Sequence, residues 1–94
     1  MPIRKLVLTR AFERSYKKFA KGNSVLEENI AATLRLMETD VFTPILKSHK
    51  LSGKLHGLYT CSCGYDCRII FSIEIKAGKE LILLIDIGTH DDVY

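Results

Sequence analysis

The sequence predicts an α+β fold in which one mostly antiparallel sheet carries two N-terminal helices on a single face, and three observations carry that prediction. Two helical stripes follow one another early in the chain. Phe12, Tyr16 and Phe19 mark the first, and Val25, Leu26, Ile30, Leu34 and Met37 the second. Three apolar, strand-like runs then fill the C-terminal half, with Ala77-Gly78 as the turn between the last two. Helices grouped before strands, rather than alternating with them, favour an antiparallel sheet over a parallel one.

The elements follow in order. Residues 4–9, RKLVLT, form a first strand, and Thr9 can cap a helix over about 10–21. Gly22 and Asn23 end that helix. Ser24 followed by Glu27 reads as a capping box that opens a second helix running to about Glu38, so the pair makes an αα-hairpin. A loop from Val41 to Gly53 carries Pro44. Strands over about 54–62, 66–75 and 80–87 complete a β-α-α-β-β-β order.

With 94 residues, 47% hydrophobic and 27% charged, the chain is expected to be one globular domain spanning residues 1–94. No apolar run approaches the roughly 18 residues of a membrane span, and charge interrupts the N-terminus too early for a secretory leader. A soluble cytoplasmic protein is therefore expected, with no membrane partner. Three cysteines are an odd number, which argues against a disulfide framework. Net charge is +3, unevenly spread: Arg4 to Lys21 holds seven Lys or Arg against the single acid Glu13. Lys47, Lys50 and Lys54 form a second basic cluster, with His49 and His56 among them. Such clusters suit an anionic partner such as nucleic acid, although the helix-1 run reads equally well as a solvated face.

The stretch YTCSCGYDCRIIFSIEI sets the sheet faces. A three-residue loop, Cys63-Gly64-Tyr65, places Cys61 opposite Cys67 and Thr60 opposite Arg68. It puts Tyr59, Cys61, Cys67, Ile69, Phe71 and Ile73 on one face, with His56, Thr60, Ser62, Asp66, Arg68 and Ser72 on the other. A two-residue loop would mix the faces. Cys-x-Cys-x-x-x-Cys also resembles part of a zinc site, but structural zinc needs its ligands convergent. In this register Cys61 and Cys67 are small buried hydrophobes, and no metal is expected.

The polar face has no packing reason to carry His56, Asp66 and Arg68. His49 lies in the loop that enters it, and His90 follows the last strand in IDIGTHDDVY, where Gly88 lets the chain bend. Histidines and a carboxylate are general acids and bases near neutral pH, and arginine offers a fixed fork to phosphate. Each histidine alone reads as structural. Together they point towards phosphodiester chemistry.

Those residues carry a family resemblance. HKLSGKLHGLY, GYDCRIIFSIE and ELILLIDIGTHDDVY, with FERSYKKF in the first helix, resemble the RelE/ParE superfamily of type II toxin–antitoxin toxins, on the branch of YafQ-like mRNA interferases. The resemblance covers nearly the whole chain and implies a RelE-like fold. It also implies a ribosome-dependent endoribonuclease that cuts mRNA without a cofactor, with ribosomal RNA and mRNA as partners. A cognate antitoxin would hold the toxin inactive in a hetero-oligomer. His49 matches the histidine before Leu-x-Gly, Asp66 the acidic residue of the hairpin, Arg68 a common arginine, His90 the C-terminal histidine and Tyr94 the closing aromatic. The implied roles are Asp66 or His49 as general base, Arg68 as phosphate stabiliser and His90 as general acid. Tyr94 would stack on a base, with Lys47, Lys50, Lys54 and His56 towards RNA. The chain departs from the branch at Ser62, where a second histidine is usual, at Cys67, often aromatic, and at Asp86, often Arg. A ParE-like toxin that inhibits a topoisomerase by binding, without nuclease chemistry, is the alternative.

Overall fold

A computed structural model describes residues 3–94 of the chain. Strand β1, Ile3–Leu8, leads into helix α1, Arg10–Ala20, and helix α2, Ser24–Thr39. A two-residue edge strand β2, His49–Lys50, precedes β3, Tyr59–Ser62, β4, Arg68–Lys76, and β5, Lys79–Gly88. A single turn of helix, α3, His90–Val93, follows. The five strands lie in the order β1-β5-β4-β3-β2. β1 runs parallel to β5, and every other pairing is antiparallel. This is the expected α+β architecture, with β2 and α3 added. No helix among the described residues is long and apolar enough to cross a membrane.

Local chemistry explains most boundaries. Thr9 Oγ1 accepts the Phe12 N–H at 3.1 Å and starts α1. Asn23, not Ser24, caps α2: its Oδ1 accepts the Leu26 N–H at 3.0 Å, so the expected Ser24–Glu27 box gives way to a cap one residue earlier. The expected strand over 54–62 begins only at Tyr59. Residues Gly53–Leu55 form a 3-10 turn, and Gly53 and Gly57 take φ of +69° and +92°, which no strand accommodates.

The core lies between the helices and one sheet face. Phe12, Ile30 and Met37 from the helices meet Cys61, Ile69, Phe71, Ile82, Leu84 and Ile87 from the sheet, all essentially inaccessible. Burying each of the large apolar side chains contributes roughly 1.5–3 kcal/mol. Tyr16, Phe19, Leu26 and Leu34 flank that core, whereas Val25, at the start of the second stripe, stays exposed. β5 bulges at Ile85: Ile70 pairs with Asp86 but Phe71 with Leu84. The extra residue lets Leu84 and Ile87 face the same core.

The β3–β4 hairpin corrects the expected register. Ser62 pairs with Arg68, Cys61 with Ile69 and Thr60 with Ile70. Cys63 and Cys67 are joined by a disulfide across a five-residue loop, with Cα atoms 5.0 Å apart, and the Cys63 N–H donates to the Cys67 carbonyl at 3.0 Å. Cys67 thus meets Cys63 rather than Cys61, and the odd cysteine out is Cys61, free and buried. The slip is two residues, an even number, so the side chains paired within β3 and β4 keep their expected faces. The disulfide overturns the expectation drawn from the odd cysteine count. Asp66 sits in the loop rather than in a strand, and His56 ends the 3-10 turn instead of joining the sheet.

Candidate active site

The second sheet face is where β2, β3, the β3–β4 loop and α3 converge. Asp66 adopts a left-handed φ of 49°, a conformation that aspartate tolerates better than most residues. From there its Oδ1 accepts the backbone N–H of His90 at 3.1 Å. That N–H belongs to the first turn of α3 and has no partner within the helix. A carboxylate is favoured there by charge as well. One aspartate in the loop therefore fixes where the C-terminal histidine stands.

α3 is held by three further contacts. Thr89 Oγ1 accepts the Asp92 N–H at 3.1 Å, while Asp92 Oδ2 accepts the Thr89 N–H at 3.3 Å, a complete capping box. The Tyr94 hydroxyl donates to Thr60 Oγ1 at 2.7 Å, and Val93 is buried against the sheet. Gly88 makes the close approach possible, since a Cβ there would lie 2.9 Å from the Asp92 Cβ. The last seven residues are thus a docked wall, not a fraying tail. Asp92 closes the cap, and Asp91 Oδ1 lies 3.5 Å from His90 Nδ1, both side chains well exposed.

His90 packs edge-on against Tyr94, ring centroids 4.5 Å apart. Tyr94 in turn shares a groove of about 410 Å³ with His49, Ser52, Lys54 and Leu55. His49 is the β2 partner of Thr60, the residue that receives the Tyr94 hydroxyl. The His49 Nδ1 stands 3.0 Å from the Lys47 carbonyl. A carbonyl only accepts, so Nδ1 carries a proton, and Nε2 is the nitrogen that holds the lone pair when the ring is neutral. Arg68 pairs with both Ser62 and Gly88 in the sheet, and its Nη1 donates to the Cys67 carbonyl at 2.9 Å.

The structure therefore links His49, Asp66, His90 and Tyr94 through Thr60 and α3, with Arg68 on the neighbouring strand. It separates the others. Lys54 lines the groove, but the Lys50 ammonium stands 6.0 Å from the centre of the Tyr59 ring. Lys47 is an exposed left-handed residue that lines a different groove, next to Cys63, and His56 is exposed at the end of the Gly53–Leu55 turn. Thr60 and Thr89 are the residues to which sequence reasoning gave no role. Thr-x-x-Asp at 89–92 was a readable capping signal, whereas nothing local marks Thr60. Burial pushes the Cys61 thiol up to about 12, with the Arg68 charge pulling the other way. Among the described residues no group of three His, Cys, Asp or Glu side chains is placed to hold a metal ion.

A family model described as the bacterial toxin of type II toxin–antitoxin system, YafQ, matches residues 4–94. The fold is similar to YafQ of E. coli, with a TM-score of 0.78 at 16% identity over 97% of this chain and 98% of that one. It is also similar to a YoeB/ParE toxin from Agrobacterium tumefaciens, with a TM-score of 0.75 at 19% identity over 92% and 98%. The E. coli DinJ-YafQ toxin–antitoxin complex matches with a TM-score of 0.72 at 15% identity, covering 98% of each chain. No protein of curated function matches the chain in sequence.

Proposed function

The chain belongs to the YafQ family of bacterial type II toxin–antitoxin toxins, and from that premise we propose that it is an endoribonuclease that cuts mRNA on the ribosome. One observation carries the proposal most: α3 is folded back and anchored, by Asp66 at its start and by Thr60 at its end, so that His90 stands over the face that His49 borders.

The chemistry follows from the tautomer and the tethers. His49 Nε2 takes the proton from a ribose 2′-OH, whose oxygen attacks the adjacent phosphorus. His90, protonated, gives its proton to the departing 5′ oxygen. The products are a 2′,3′-cyclic phosphate and a 5′-hydroxyl, with no water or metal consumed. Arg68 stabilises the charge of the phosphorane, and its hydrogen bond to the Cys67 carbonyl holds the guanidinium in place. Asp66 is assigned to positioning, because one carboxylate oxygen is committed to the His90 amide. Tyr94, nearly half exposed, offers its ring face to a base, and Lys54 a charge to the backbone. A cognate antitoxin is part of the same proposal, supported by the complex of the E. coli relative with DinJ.

The test is cleavage of mRNA by the purified chain in a translation extract, mapped by primer extension. Ribosome-dependent cuts bearing 2′,3′-cyclic phosphate ends are expected, with loss of cleavage in His49→Gln. An intact mRNA pool beside an inhibited topoisomerase would replace the nuclease with the binding toxin.

A further inference from the structure

The Cys63–Cys67 disulfide closes the loop that carries Asp66, and Cys67 is flanked on both sides by residues of the proposed site. Asp66 precedes Cys67 directly and holds the His90 N–H. Arg68 follows Cys67 directly and donates to its carbonyl. Apart from the disulfide the loop is held by hydrogen bonds at its two ends, the Gly64 carbonyl accepting from the Cys67 N–H at 3.3 Å and Ser62 Oγ at 3.4 Å, while Gly64, Tyr65 and Asp66 are exposed, Tyr65 fully so. Asp66 also occupies a left-handed conformation, which costs free energy unless its surroundings enforce it.

We infer that the Cys63–Cys67 disulfide is a positioning element for the site, and that its reduction by a dithiol releases Asp66 from His90 and lowers catalysis. The inference rests on the nuclease proposed above. One reductant thiolate attacks the Cys63 sulfur, forming a mixed disulfide and releasing Cys67 as a thiol. The second reductant thiol then attacks the mixed disulfide. The reductant leaves as its own disulfide, and Cys63 and Cys67 each end as a thiol, so two electrons and two protons have passed from the reductant to the pair.

Two features make the bond addressable without unfolding the chain. A groove of about 470 Å³ lined by Asn29, Leu36, Lys47, Ser62, Cys63 and Gly64 leads to the Cys63 side, and Lys47 there favours an incoming thiolate. Cys63 and Cys67 are themselves buried, so attack requires a local opening of Gly64 to Asp66, three exposed residues that lie outside the β3–β4 pairing. The third cysteine does not scramble the pair. Cys61 is buried and its thiol is pushed up to about 12, so it forms almost no thiolate near neutral pH.

The experiment compares the full chain oxidised, reduced with dithiothreitol, and reoxidised with glutathione disulfide. Free thiols are counted after denaturation, the His90 backbone amide is followed by NMR, and mRNA cleavage is timed in the translation extract. One thiol is expected in the oxidised chain and three in the reduced one. On reduction the His90 amide should move to its position in Asp66→Gly, which lacks the carboxylate but keeps the left-handed φ. Cleavage should fall by about 10–100-fold, as expected when a site is misplaced by about an ångström, and return on reoxidation. Cys63→Ser/Cys67→Ser should match the reduced chain in both readouts. Three thiols in the air-oxidised protein would overturn the inference. So would a folded reduced chain whose His90 amide is unmoved and whose cleavage stays within twofold. If the oxidised chain cuts no mRNA at all, the nuclease fails instead, while the amide shift still decides whether the disulfide positions His90.

Discussion

The two hairpin loops at opposite ends of β4 solve the same geometric problem in different ways. At one end Ala77 and Gly78, with φ of 51° and 76°, make a two-residue turn of the type whose twist matches the flanking strands. Both of its residues are exposed. At the other end five residues are closed by a disulfide, two of them, Gly64 and Asp66, at positive φ, and the loop reaches across to α3. The first loop only returns the chain. The second places a histidine 24 positions further on, and its odd backbone is held by tertiary contacts rather than by turn propensity.

The largest expected effect lies at the disulfide end. His90→Gln keeps the backbone N–H that Asp66 binds but removes the proton donor, so cleavage should drop by about 10²–10⁴-fold with an unchanged melting temperature. A melting temperature that falls with activity would mean that the side chain supports the fold instead. Between the two loops, Phe71 is fully buried and stacked on Tyr59 at 5.5 Å. Phe71→Ala should cost about 3–5 kcal/mol in urea melts. That loss should spread over both loops alike, which separates sheet stability from loop function.

Below the disulfide loop, Cys61 gives a pH dependence with a definite sign. Its thiol is raised from 9.0 to about 12, so the fold favours the neutral form. The stability it contributes is complete below pH 9 and is lost as pH rises towards about 12, at about 1.4 kcal/mol per pH unit in between. The stability difference between the native chain and Cys61→Ala, measured at pH 8, 9, 10 and 11, should shrink on that slope. A difference flat with pH would contradict the burial. The smallest effect is at the plain turn. Ala77→Asn suits the left-handed position better and should add about 1 kcal/mol, with a rise of roughly 4–8 °C in melting temperature and no change in cleavage.

Much of this contrast was legible in the residues, and the illegible part has a physical cause. Ala77-Gly78 announced its turn, Thr9 its cap, and the Phe12, Tyr16, Phe19 stripe its buried face, because each rests on local chemistry. The polar and apolar faces of β3 and β4 also followed from alternation. The register was displaced by two residues because a covalent bond between Cys63 and Cys67, not turn propensity, sets the loop length. An odd cysteine count cannot say which two of three will meet. β2 and α3 are two and four residues long, too short to show a period, and their placement depends on Thr60, Tyr94 and Asp66. Asp66 and His90 are legible in the sequence as chemical groups; that one holds the backbone of the other is a tertiary fact.

The strand order has a consequence in time. β5 lies between β1 and β4, so an interior strand of the sheet is the last of its five strands to be synthesised. Until residues 79–88 have been made, β1 has no neighbour to pair with and the helices behind it have only half a surface to cover. The pairing of β1 with β5 spans most of the sequence, a separation that delays folding to its final steps. The face holding His49, Thr60 and His90 is completed only when β5 has paired, because α3 follows it directly. A nascent chain therefore carries its N-terminal helices for most of its synthesis without a finished site beside them.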